Sequence, residues 1–189
     1  MRRLPASLLA GPAIVLVAPA PVQGALVYLH EAEAAHAIFA QSTAWERRTL
    51  SLTDGEIAGL SKTLGRRVEA RSYAYLVVQA DGRQLGLIFI LDVIGESLPI
   101  TFAVAVSADG VLQDVQVMVY REPRGEEIQD RRFRRQFAGK RLKDPLTLGK
   151  DIDAISGATI SSRSATFAAR KGLALAEILR ARSAGERKP

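Results

Sequence analysis

Four apolar runs between residues 73 and 120 set the frame of the chain. "YAYLVVQA" (73–80) is followed by Asp81-Gly82 and "RQLGLIFILDVIG"; "PITFAVAVS" is followed by "ADG" and "VLQDVQVMVY". Apolar runs cut by glycine-bearing turns predict consecutive antiparallel strands joined by tight hairpins. In the last run Val115, Val117 and Val119 alternate with polar residues, as on a half-buried strand. Upstream, residues 30 to 48 read as an Ala/Glu-rich helical stretch. "SLTDGEIAGLSKTLG" predicts a short amphipathic helix with Thr53 or Asp54 as N-cap and Gly65 as its stop. Downstream, Gly125 breaks the last strand, and Ile128, Phe133 and Phe137 predict a short helix ending near Gly139. "RLKDPLTLGKDIDAISGAT" is irregular and polar. "SSRSATFAARKGLALAEILRARS" is a helix, with Ser161 or Ser162 as cap, and "AGERKP" a frayed tail. The expected class is therefore α+β: an antiparallel, hairpin-rich sheet with flanking helices and a C-terminal helix after the Ser-Gly-Ala-Thr loop.

The first thirty residues break this pattern. "MRRLPASLLAGPAIVLVAPAPVQGALVYLH" opens on two arginines and then carries no charge from Leu4 to Leu29. A basic start, an apolar stretch and small residues at its end read as an export signal, with cleavage after Ala20 or Gly24. The stretch is also long enough to span a bilayer, so a membrane anchor is the rival. Either reading places the body of the protein outside the cytoplasm. The chain then divides into 1–24 (signal or anchor), 25–70 (an N-terminal helical region), 71–183 (the main domain) and 184–189 (tail).

Composition adds few constraints. The chain has 189 residues, 48% hydrophobic and 24% charged, as in an ordinary globular protein, and a net charge of +6. The densest basic run, "RRFRRQF" at 131–137, also carries an apolar helical stripe and reads as a solvated face, not a nucleic-acid interface. With no cysteine there are no disulfides, thiolate metal sites or iron–sulfur clusters. The two histidines, His30 and His36, stand six apart, the wrong spacing for a zinc pair on one helix face. The Gly-Lys pairs at 139–140 and 149–150 lack the rest of a phosphate-binding loop, and no triad or metal loop completes itself. No catalytic residue and no metal ligand is nominated.

What remains is "DIDAISGATISSRSAT" (151–166). Small residues let a ligand approach the backbone closely, and the helix that follows directs its free N–H groups and positive end outward. Ser156, Thr159, Ser161 and Ser162 add hydroxyls. The bare pattern fits a phosphate cradle or a helix start rich in capping residues equally well.

The string Asp153-x-x-Ser156-Gly157-Ala158-Thr159 resembles the flavinylation motif of the FMN-binding domain family. That family includes the FMN-carrying subunits of the Na+-translocating NADH:quinone reductase and of the Rnf electron transport complex, together with free-standing periplasmic flavoproteins. The likeness extends upstream, in order, to "ADGVLQDVQVMVY", "REPRGEEI" and "FRRQFAGK", and covers about residues 72 to 180. Pro123 and Arg124 depart from the Thr or Ser that many members place beside the glutamate, and Ser161 replaces a frequent Thr. The resemblance implies covalent FMN, moved from FAD onto Thr159 by a Mg-dependent flavin transferase. Asp153 and Ser156 then form part of the address read by the transferase, and Gly157 and Ala158 leave it room. Ser161 follows as a further hydroxyl of the motif. Tyr120 and Glu122, at the end of the last hairpin, are the nominated neighbours of the flavin ring. Arg131, Arg132, Arg134 and Arg135 are candidates for the flavin phosphate or an acidic partner. The implied role is an electron carrier in a membrane-linked redox chain, on the periplasmic or extracytoplasmic face of a bacterial inner membrane, partnered by the transferase and by a membrane redox complex or another carrier, rather than a free-standing enzyme. The alternatives are a terminal reductase of a small molecule and a cofactor-free secreted binding domain.

Overall fold

The computed structural model describes residues 25–185; the expected signal or anchor at 1–24 lies outside them, as do the last four residues of the tail. Six antiparallel strands form one sheet in the order β1-β6-β5-β4-β3-β2. These are β1 (Leu26–Val27), β2 (Ala44–Ser51), β3 (Ser72–Ala80), β4 (Arg83–Ile94), β5 (Pro99–Ser107) and β6 (Leu112–Tyr120). The α+β class and the four central strands are those the apolar runs predict. The β3–β4 hairpin turns on Asp81 and Gly82, both at positive φ (50° and 73°), as a two-residue hairpin requires.

Helices cover both faces. On one face α4 (Thr159–Gly185) lies across β4 and β5 and encloses the larger core with Leu50, Phe89, Leu91, Ile100, Phe102 and Val104. It is joined there by α2 (Asp54–Leu64). The first half of α4 buries mostly small residues, Ser161, Ser162, Ser164, Ala165, Ala168, Ala169 and Gly172, which lets the helix lie close on the sheet. A Cβ on Gly172 would run into the Val104 side chain. On the other face α1 (Glu31–Ile38) covers a smaller cluster of Leu76, Val78, Ile88, Ala103, Ala105 and Met118. Two covered faces explain why β5 is a run of seven buried residues and not an alternating one.

Three expectations are corrected. Residues 44–51 are a strand: "AWERRTLS" pairs with β3 from Ala44↔Gln79 to Ser51↔Ser72, and this ladder overrides the helical tendency of its Glu and Arg residues. The region 25–70 is therefore not wholly helical. Second, β6 does not alternate cleanly. Register shifts leave Gln113 and Met118 as extra residues opposite β5, so Val117 and Tyr120 face α4 while Met118 and Val119 face α1. Third, α4 starts at Thr159, ahead of both expected cap serines, and continues through Ala184 and Gly185 of the expected tail. The α2 boundaries hold, with Thr53 as N-cap and Gly65 left-handed at the C-cap.

Candidate functional site

The bulge at Met118 decides where the end of β6 points. It swings Tyr120 onto the α4 face, where the ring is 1% exposed. Its hydroxyl donates to Arg124 O at 2.6 Å and shares a 2.8 Å hydrogen bond with Ser161 Oγ. Burial is the main reason the phenol pKa is raised, with the Ser161 hydrogen bond acting against it. Tyr120 thus ties β6, the 122–125 turn and the first turn of α4 together. Gly125 closes this junction at φ 93°; a Cβ there would stand 2.5 Å from Ser161 Oγ and 2.8 Å from the Tyr120 hydroxyl.

Two residues beyond Tyr120, Glu122 folds back under the turn that joins β4 to β5. Its Oε1 accepts from Ser97 N (2.6 Å) and Leu98 N (2.8 Å). Its Oε2 is buried and has no hydrogen-bond partner among the described residues. A buried acceptor without a donor is costly.

On the opposite side, the chain reaches α4 through a tight turn, with Ala158 N donating to Ile155 O at 3.0 Å and Gly157 at φ 83° in its third position. Ser162 fixes the turn from inside the helix. Its hydroxyl accepts from Ile155 N (3.2 Å) and donates to Ala158 O (2.9 Å). Neither Ser161 nor Ser162 is an N-cap; one holds Tyr120 and the other holds the turn. Thr159 is the first residue of α4, and its side chain is exposed. Among the described residues nothing engages its hydroxyl or the first-turn N–H groups of Thr159, Ile160 and Ser161.

These pieces enclose a cavity of about 290 Å³ lined by Glu96, Glu122, Arg124, Gly125, the segment Gly157–Ile160 and Ser161. The structure therefore brings Glu122, Gly157, Ala158, Thr159 and Ser161 to one place. Ser156 is exposed in the adjoining turn. Tyr120 lies beneath the floor as a brace. Asp153 faces a separate cavity with Glu127, Asp130 and Arg132, where its backbone exchanges two hydrogen bonds with the Gln136 side chain. Of the four arginines on the 131–135 segment, Arg134 is paired with Asp114 at 3.0 Å, and Arg131, Arg132 and Arg135 are exposed.

Sequence reasoning missed the apolar residues here. Ile94, Leu98 and Ile160 are large and exposed, and their backbones are near one another: the Ser164 hydroxyl shares its hydrogen between Ile94 O (2.9 Å) and Ile160 O (3.2 Å), and Gly95 N donates to Leu98 O (2.9 Å). The only signal was an apolar residue on either side of "GES" and another straight after Thr159, which core residues would show equally.

Residues 95–174 match the family model of the FMN-binding domain. That span contains every residue lining the cavity, and the family resemblance read from the Ser-Gly-Ala-Thr motif is borne out. Among solved structures, the crystal structure of NqrC from Shewanella oneidensis is similar to this chain, with a TM-score of 0.50 and 19% identity. The likeness covers 74% of this chain and 82% of that chain, and at this identity it is a likeness of fold. No curated protein matches by sequence.

Proposed function

We propose that this protein is an extracytoplasmic flavoprotein that carries FMN as a phosphoester on Thr159 Oγ1 and passes electrons within a membrane-linked redox chain. One observation carries the reading. The threonine that ends the motif is exposed, has an unengaged hydroxyl, and shares a cavity with free helix N–H donors and an orphaned buried acceptor, Glu122 Oε2.

The residues present fit the group. The N–H groups of the first α4 turn and the positive end of the helix suit a phosphodiester. Arg124 supplies a cation on the same cavity wall. Glu122 Oε2 needs a donor, and FMN offers ribityl hydroxyls and ring N–H groups. Ile94, Leu98 and Ile160 offer the apolar surface that a flat aromatic system requires. When bound, FMN supplies one- and two-electron transfer; the chain supplies orientation and electrostatics.

An unaided threonine hydroxyl is a weak nucleophile, so activation falls to a flavin transferase and its Mg ion. The Thr159 Oγ1–phosphorus bond forms as the pyrophosphate bond of FAD breaks; AMP leaves, and the hydroxyl proton passes to a base on the transferase. Covalent attachment suits an exported protein, because flavin lost outside the cytoplasm is not readily replaced. The apolar N-terminal segment supports export or anchoring.

The test is co-expression with a flavin transferase, followed by intact mass and flavin fluorescence on a denaturing gel. The native chain gains one FMN, Thr159→Ala gains none and Thr159→Ser keeps the adduct. Fluorescence persisting in Thr159→Ala overturns the assignment.

A further inference from the structure

A third concavity lies along α4, one turn beyond the flavin cavity. It measures about 350 Å³ and is lined by Leu64 at the end of α2, by Leu146, Thr147 and Leu148, and by Arg163, Thr166, Phe167 and Arg170 of α4. Its floor is apolar and its rim is cationic. The Arg66 guanidinium lies over the Phe167 ring, 4.5 Å from the centroid, and Lys171 Nζ stands 4.6 Å from the centroid of Tyr73. Among the described residues no carboxylate lies within ion-pair distance of Arg66, Arg163, Arg170 or Lys171. Arg134, Lys140 and Arg182, elsewhere on the surface, each have one.

Two further features mark the place. Arg170 Nε is buried without an acceptor. Leu146, on the cavity floor, is held at φ 44°, a conformation that costs a leucine free energy. The Asp151 carboxylate keeps it there, accepting from Leu146 N (3.1 Å), Thr147 N (2.8 Å) and Lys140 Nζ (2.8 Å). Arg66 also acts on Lys171: the Lys171 ammonium has its pKa lowered by burial first and by Arg66 second, with Asp92 only partly offsetting them.

We infer that this groove is the docking site for an acidic segment of a partner protein, with carboxylates flanking an apolar side chain. Charge complementarity identifies the occupant. Arg163 and Arg170 on its wall, with Arg66 stacked on Phe167, set unpaired cations beside an apolar floor and fit an apolar residue between Glu or Asp neighbours. A flat bilayer surface cannot reach a floor whose Leu146 is 3% exposed. Position gives the groove its use. Arg163 stands four residues after Thr159, so the two share a helix face about 6 Å apart along the axis. A segment bound here holds its protein next to the first turn of α4. Docking itself does not depend on the flavin reading.

The probe is a fluorescein-labelled peptide of sequence Glu-Glu-Phe-Glu-Glu, with Gln-Gln-Phe-Gln-Gln as the neutral control, titrated with the full-length chain by fluorescence anisotropy. The acidic peptide binds and weakens as salt rises, while the neutral one does not bind. The Arg163→Glu, Arg170→Glu double variant loses about tenfold or more in affinity. The milder Arg163→Gln, Arg170→Gln pair shows a smaller loss in the same direction, whereas Arg47→Glu with Arg83→Glu, on β2 and β4, stays near the native value. Thr159→Ala, which cannot take flavin, binds the peptide normally, so this result and the flavin result stand or fall separately. Equal binding of the neutral peptide overturns the inference. So does native affinity in the Arg163/Arg170 variants, loss of binding in Thr159→Ala, or capture by phosphatidylglycerol vesicles without capture by the peptide.

Discussion

Gly125 and Glu122 show how little space separates structure from function at this site. Gly125 combines a left-handed backbone with two oxygens at the position a Cβ would take. Gly125→Ala therefore has to move Ser161 or Tyr120 and strain the turn. A cost of about 2 kcal/mol is expected, read as a lower midpoint in thermal or urea unfolding. Glu122 is the sharper case, because its two oxygens have different duties. Oε1 holds the turn before β5, while Oε2 is buried without a partner in a residue that lines the cavity. Glu122→Gln keeps a carbonyl oxygen for the Ser97 and Leu98 amides but replaces the free acceptor with a donor and removes a negative charge. A nearby carboxylate disfavours electron addition to the flavin, so its loss raises the midpoint potential. The expected rise is about 30 mV, the two-electron equivalent of ~1.4 kcal/mol. Spectroelectrochemical titration of the flavin-loaded variant measures it, and an unchanged potential would confine Glu122 to holding the turn.

Among the elements, α2 makes the clearest statement about pH. Glu56 closes a capping box with Thr53 and is gripped by Arg182 from the far end of α4, at 2.6 and 2.8 Å. The Arg182 hydrogen bonds, then the Thr53 backbone amide, lower its pKa from 4.5 to about 2. A carboxyl depressed in the folded state contributes stability that is complete above its unfolded pKa. That contribution is lost as pH falls from about 4.5 toward 2. Urea melts of the native chain and Glu56→Gln should differ at neutral pH and converge across that window. Thr53→Ala, which removes the cap itself and the hydroxyl that donates to Glu56, costs about 1 kcal/mol at neutral pH. The cap, the Gly65 stop and the four central strands were legible in the sequence because each is set by neighbours a few residues away. Strand β2 was not, since Glu46, Arg47 and Arg48 look helical until β3 pairs with them. The bulge at Met118 was equally hidden: an extra residue changes no local composition, yet it turns Tyr120 and Glu122 toward α4. At the site the motif identified the Thr159 turn. It was silent on the roles of Ser161 and Ser162, because a buried serine braced to a distant tyrosine reads the same as a capping serine.

Across the whole molecule α4 is the common member: its first turn carries the proposed flavin anchor, its second and third turns the cationic groove, and its inner face the core. A fault in the core contact of α4 and a fault at the anchor should therefore be separable by position along one helix. Gly172 lies thirteen residues after Thr159, about 20 Å along the axis, and packs directly on Val104 of β5. Gly172→Val forces a branched side chain into that contact, and the helix has to lift or Val104 has to leave its rotamer. Overpacking of this kind costs about 1–3 kcal/mol, which in a domain of this size lowers the melting temperature by roughly 2–12 °C. At temperatures where the variant remains folded, the turn at Ile155–Ala158, the Tyr120–Ser161 brace and the Thr159 hydroxyl are out of reach of the disturbance. The flavin band on a denaturing gel should then match that of the native chain, molecule for molecule. A folded Gly172→Val protein that takes up no flavin would mean that the transferase reads the packing of the whole helix and not only the turn that carries Thr159.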